Sequence, residues 1–101
     1  GWKLDEALDG LHGWQKLKNN SYDVVITDIE MPGMDGFTLR KRARQKKLET
    51  KFIYISAYPS SSTKLKRTPL LIKPFVLEKL QSLLEKIVLE PNFHPHPNPP
   101  P

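Results

Sequence analysis

The chain has 101 residues, of which 38% are hydrophobic and 27% charged, enough for one small domain with a modest core and too apolar for a wholly disordered chain. Lys and Arg number 16 against 11 Asp and Glu, a net charge of +5. Cysteine is absent, which excludes a disulfide scaffold, a thiolate zinc site and a cysteine nucleophile, and no apolar run approaches the roughly 20 residues that span a bilayer. The opening Gly1-Trp2-Lys3-Leu4-Asp5-Glu6 is interrupted by a charged pair and does not read as a signal peptide. The expectation is a soluble cytoplasmic protein.

In chain order, Leu11, Trp14 and Leu17 recur at helical spacing and predict a first helix that stops at Asn19-Asn20. Tyr22-Asp23-Val24-Val25-Ile26-Thr27 is rich in β-branched and aromatic residues and predicts a strand buried on both faces, as parallel sheets require. Residues 37–47 carry Phe37, Leu39 and Ala43 on a thin apolar stripe, with Arg40, Lys41, Arg42, Arg44, Lys46 and Lys47 on the rest. That basic cluster, extended by Lys51, reads as the solvated outer face of a helix. No nucleic-acid motif and no interleaved aromatics accompany it, so nucleic-acid binding is not expected; such binding would fall steeply with salt.

Lys51-Phe52-Ile53-Tyr54-Ile55-Ser56 predicts a second buried strand and Pro69-Leu70-Leu71-Ile72 a shorter third. Between them, residues 58–69 have Pro near both ends and one interior apolar residue, Leu65, which predicts a loop or a single helical turn. Over residues 76–89, Leu77, Leu80, Leu83, Leu84, Ile87 and Val88 form the strongest amphipathic pattern in the chain. Six of the ten prolines fall in residues 91–101, which predicts a body over 1–90 and a disordered proline-rich tail. His94 and His96 lack a third ligand nearby, and Pro97-x-x-Pro100 is a low-information match to groove-binding peptides. Strand and helix in alternation argue for an α/β domain with a parallel sheet.

Three polar side chains fall at the carboxyl ends of the three strands: Asp28, Ser56 and Lys73. Taken singly, each is as well explained by a cap, a loop hydroxyl or a surface lysine. Ligands of open parallel sheets bind at that edge, however, and a carboxylate, a hydroxyl and an ammonium together suit a phosphoryl group. The carboxylate can accept the group while the other two hold its oxygens.

Asp28-Ile29-Glu30-Met31-Pro32-Gly33-Met34-Asp35-Gly36, followed by Ile55-Ser56-Ala57 and Lys73-Pro74-Phe75, resembles the receiver domain of two-component response regulators. Leu4-Asp5-Glu6-Ala7-Leu8-Asp9-Gly10, leading into the first helix, resembles that family's second strand and the start of its second helix. The resemblance runs over residues 4–90 and implies a flavodoxin-like fold that is not itself an enzyme. It implies that Asp28 accepts a phosphoryl group from the histidine of a partner kinase or phosphotransfer protein. Ser56 would be the switch hydroxyl, Lys73 the cationic clamp, and Glu30 would offer a backbone carbonyl to a Mg²⁺ that Asp28 also binds. The Lys73-Pro74 bond is normally cis in this family.

Three departures from the family pattern bear on function. The family's first strand, with the acidic pair that holds Mg²⁺, and its first helix have no counterpart here. Asp5, Glu6 and Asp9 align with the later stretch and do not inherit the metal role. Magnesium is therefore expected to bind weakly and phosphoryl transfer to be impaired. The strand carrying Asp28 is also left with an exposed edge, which suits a homodimer or complementation by a separate fragment. Second, residues 58–69 do not read as the family's fourth helix. Third, Leu70 stands where the family places its switch aromatic. The alternative is a pseudo-receiver, a docking module that takes no phosphate; a phosphohydrolase with Asp28 as nucleophile would need a general acid two residues on and a metal shell, which Glu30 alone does not supply.

Overall fold

The computed structural model describes residues 5–31, 33–57, 68–91 and 93. The elements run α1 (Gly10–Asn19), β1 (Val24–Asp28), α2 (Gly36–Gln45), β2 (Lys51–Ser56), β3 (Leu70–Ile72) and α3 (Leu77–Leu89). The strands form a parallel sheet in the order β1-β2-β3. β2 is central, its Ile53 paired with Ile26 of β1 and its Ser56 with Ile72 of β3.

Local chemistry sets the helix starts. Asp9 caps α1 by accepting from the His12 N–H at 2.8 Å, while His12 Nδ1 accepts from the Leu8 N–H. This reciprocal pair satisfies donors that a helix's first turn leaves open. Asp35 caps α2 by accepting from the Thr38 N–H at 2.7 Å. α2 stops where Lys47 takes a left-handed φ of 58°. α3 has no side-chain cap, and Glu78 in its first turn complements the helix dipole.

Side chains alternate along the strands, so the sheet has two faces with different cover. On one, Phe52, Tyr54 and Ile29 pack with Trp14 and Leu17 of α1 and Leu39 and Ala43 of α2. Phe37 meets Tyr54 edge to face, ring centres 5.0 Å apart. On the other, only Ile53, Leu71 and Ile87 are fully buried, with Val24, Leu80, Leu83 and Leu84 half-covered around them. Just one helix of the described residues, α3, lies on that side.

The uneven cover leaves Leu11, Leu77 and Val88, on the helices' apolar stripes, exposed, because no layer of the described residues lies against them. Three expectations are corrected. β1 is not buried on both faces: Ile26 is 37% exposed because β1 is an edge strand among the described residues. β1 also begins at Val24 and includes Asp28, and β3 begins at Leu70. Residues 5–9 form no strand, and the remaining residue of the proposed second-strand match, Leu4, lies outside the described residues. The linker at 58–67 and most of the proline-rich tail lie outside them too.

The open side of β1 follows from its ladder. Asp23 O accepts from Lys51 N and Ile29 N donates to Ile55 O, so odd-numbered residues of β1 face β2. Val24 and Ile26 therefore direct their N–H and C=O groups away from β2, where no strand of the described residues lies. A groove of about 350 Å³ runs along this side, walled by Asp5, Asp9, Lys16 and Tyr22 and floored by β1. Asp5 bridges its wall, receiving Lys16 Nζ at 2.6 Å and the Tyr22 hydroxyl at 2.5 Å. No helix among the described residues is long and apolar enough to cross a membrane.

Candidate functional site

The carboxyl ends of the three strands form one rim. Asp28 closes β1, Ser56 closes β2, and Lys73 follows β3 directly. Backbone hydrogen bonds lace these ends together: Ile29 N to Ile55 O at 2.9 Å, and Lys73 N to Ser56 O at 2.8 Å. The Lys73-Pro74 bond is cis.

On this rim the polar side chains meet in two pairs. Lys73 Nζ lies 2.7 Å from Asp28 Oδ1, with both side chains about half exposed. Ser56 Oγ, 1% exposed, donates toward the Glu30 carboxylate, 3.2 Å from one oxygen and 3.4 Å from the other. Register explains the division. Asp28 has the parity of Val24 and leans toward the α3 face, whereas Ser56 shares the parity of Phe52 and Tyr54 on the opposite face.

A glycine sets the floor of the site. Gly36, the first residue of α2, donates its N–H to Ile29 O at 2.9 Å. A Cβ there would stand 2.6 Å from the Asp28 carbonyl oxygen and 3.2 Å from Thr27 Cγ2. Only hydrogen at this position lets α2 start against the end of β1. The Thr27 hydroxyl donates to the Asp28 carbonyl at 3.0 Å.

The sequence therefore located Asp28, Ser56 and Lys73 on one edge, and the structure adds the Glu30 carboxylate. The family resemblance assigns Glu30 a backbone-carbonyl role; the signal for its side chain is a second acid two residues after Asp28. Of the remaining acids near the groove, Asp5 is engaged by Lys16 and Tyr22 and Asp9 by the α1 cap. The basic cluster covers the outside of α2, with Lys41, Arg42, Arg44, Lys46 and Lys47 exposed. Arg42 is partly committed, its guanidinium 5.9 Å from the Trp14 ring centre.

The profile of the response regulator receiver domain matches residues 1–85. The chain belongs to that family. Among curated relatives, the receiver chain is 30% identical to the sensor protein EvgS of Escherichia coli K12 over 86% of its own length and 8% of that protein's. It is 32% identical to the transcriptional regulatory protein DltR of Streptococcus agalactiae over 79% of its length and 38% of that protein's. It thus spans less than half of either relative. Among solved structures, the response regulator TrrA of Thermotoga maritima, in complex with Mg²⁺-BeF, is 31% identical with a TM-score of 0.76, covering 85% of this chain and 77% of that one. A Francisella receiver domain is 33% identical with a TM-score of 0.69, covering 79% and 70%. This is a receiver domain of two-component signalling with a flavodoxin-like α/β fold.

The donor set at the rim can be tested against magnesium, which takes six oxygens in near-octahedral geometry. Two carboxylates are close, Asp28 and Glu30, and each already accepts from Lys73 or Ser56. Among the described residues no group of three or more His, Cys, Asp and Glu is arranged to hold a metal ion. The receiver's described residues do not fit a tight magnesium site.

Proposed function

We propose that this receiver domain accepts a phosphoryl group on Asp28 from the phosphohistidine of a partner kinase or phosphotransfer protein. In the transfer an Asp28 oxygen forms the new P–O bond as the P–N bond to imidazole breaks, and the released nitrogen is neutral or takes a proton from water. The ammonium of Lys73, 2.7 Å from Asp28 Oδ1, is the observation that carries this reading. A cation in contact with the acceptor oxygen is placed to offset the charge that three phosphoryl oxygens bring. Ser56 at the neighbouring strand end supplies a hydroxyl to the same rim.

Weak metal binding makes the reaction slow, since phosphoryl transfer relies on charge neutralisation. The test is to incubate the chain with Mg²⁺ and a small phosphodonor and look for an acid-stable, base-labile adduct. The adduct should form slowly in the native chain and be absent in Asp28→Asn. Its absence under conditions that label an intact receiver would refute the reading.

A pseudo-receiver that docks without phosphate is the second reading, favoured by the lack of a metal-binding acidic cluster among the described residues. Under either reading β1 is an edge strand among the described residues, open at Val24 and Ile26, which suits pairing with a second copy.

A further inference from the structure

Two donors and two carboxylates meet at the rim. Lys73 contacts Asp28, and the Ser56 hydroxyl donates to Glu30. A serine hydroxyl has a single proton to donate. At 1% exposure Ser56 has almost no water to turn to, whereas Glu30 is exposed and can be solvated when released. A phosphoryl group on Asp28 would add three strong acceptor oxygens within the same rim.

Accordingly we propose that the Glu30 carboxylate is a resting-state latch on Ser56, which must surrender the hydroxyl before Ser56 can bind a phosphoryl oxygen on Asp28. The inference rests on the phosphoacceptor reading above. Glu30 is then a positioning residue acting through Ser56. Its cost is that of one hydrogen bond to a charged acceptor, about tenfold in affinity for a phosphoryl mimic.

The experiment is a double-mutant cycle on the full chain, using beryllofluoride with Mg²⁺ as the probe and ¹⁹F NMR as the readout. Glu30→Ala should bind beryllofluoride about tenfold more tightly than the native chain, and Ser56→Ala should erase that gain. Glu30→Gln keeps an acceptor oxygen without the charge, so it should fall between the two. An equal gain with and without Ser56 would show mere relief of charge repulsion and overturn the latch. Native chain that binds beryllofluoride while Glu30→Ala shows no gain overturns it as well and leaves Asp28 as acceptor standing. No bound fluorine signal in any variant refutes the phosphoacceptor reading and the latch together. In the ligand-free protein, Glu30→Ala should also shift the Ser56 amide resonance and speed exchange of its hydroxyl proton; an unmoved resonance counts against the latch independently of phosphate.

Discussion

Lys73 reaches Asp28 across the central strand: Lys73 directly follows β3 and Asp28 closes β1, strands that flank β2 on opposite sides, yet their charged atoms are 2.7 Å apart. The pair is half exposed, so its contribution to stability is small, within about 1 kcal/mol. Its effect on anion binding is expected to be larger, because the Lys73 ammonium directly contacts the Asp28 carboxylate. Lys73→Met should leave the urea midpoint nearly unchanged and weaken beryllofluoride binding about tenfold, read by ¹⁹F NMR. A large loss of stability with no loss of binding would contradict the clamp role.

Two glycines should respond in opposite directions to alanine. Gly36→Ala drives a methyl to 2.6 Å from the Asp28 carbonyl oxygen, a backbone atom that cannot swing aside. It should destabilise the domain by about 1–3 kcal/mol and disturb the Asp28 resonances. At Gly13, inside α1, the nearest atoms would be Ala7 Cβ at 3.6 Å and Leu39 Cδ2 at 3.8 Å, ordinary contact distances. Gly13→Ala should stabilise by about 0.5–1 kcal/mol through helix propensity. Denaturant melts of both variants check the pair of signs.

The Asp5 cluster makes a pH prediction. Hydrogen bonds from Lys16 and then Tyr22 hold the Asp5 carboxyl down at about 2, against an ordinary 3.8. The same bond, with burial second, pushes the Tyr22 hydroxyl up to about 12 from 10.0. Asp5 is depressed, so its contribution is fully present above pH 3.8 and is lost as pH falls through about 2. Tyr22 is raised, so its contribution is complete below pH 10.0 and lost as pH rises through about 12. Tyr22→Phe should move the Asp5 titration part of the way back toward 3.8, followed by carboxyl ¹³C shifts.

The exposed edge of β1 predicts concentration-dependent association. Ile26, 37% exposed beside outward-pointing backbone groups, is the residue to change. Ile26→Lys places a charge on the edge and should shift the chain toward monomer in sedimentation velocity. Unchanged association would mean that copies meet elsewhere.

Much of this was legible in the sequence, for identifiable reasons. β2 was placed residue for residue because Lys51-Phe52-Ile53-Tyr54-Ile55-Ser56 is a central strand, covered on both faces and bounded by polar residues. β1 starts two residues later and ends one residue later than its composition suggests, and Tyr22 is drawn to Asp5 by a hydrogen bond across 17 positions that no local pattern reveals. The apolar stripe of α3 is legible as a stripe, while the exposure of Leu77 and Val88 on it is not: periodicity says which face is apolar, not whether a second layer covers it. The strand-end positions of Asp28, Ser56 and Lys73 are legible because each ends or directly follows a buried apolar run. The pairing of Ser56 with Glu30 is not, since it depends on which way a side chain turns on leaving β1.

The rungs from Ile29 to Ile55 and from Lys73 to Ser56 have a mechanical consequence. Ser56 and Lys73 are joined directly by a peptide hydrogen bond, and Asp28 is held through its neighbour Ile29, so no strand end can slide lengthwise alone. Insertions in the connecting loops should be absorbed harmlessly, whereas a one-residue deletion inside β1, β2 or β3 would drag the rim out of alignment and leave the polar atoms facing the wrong sides.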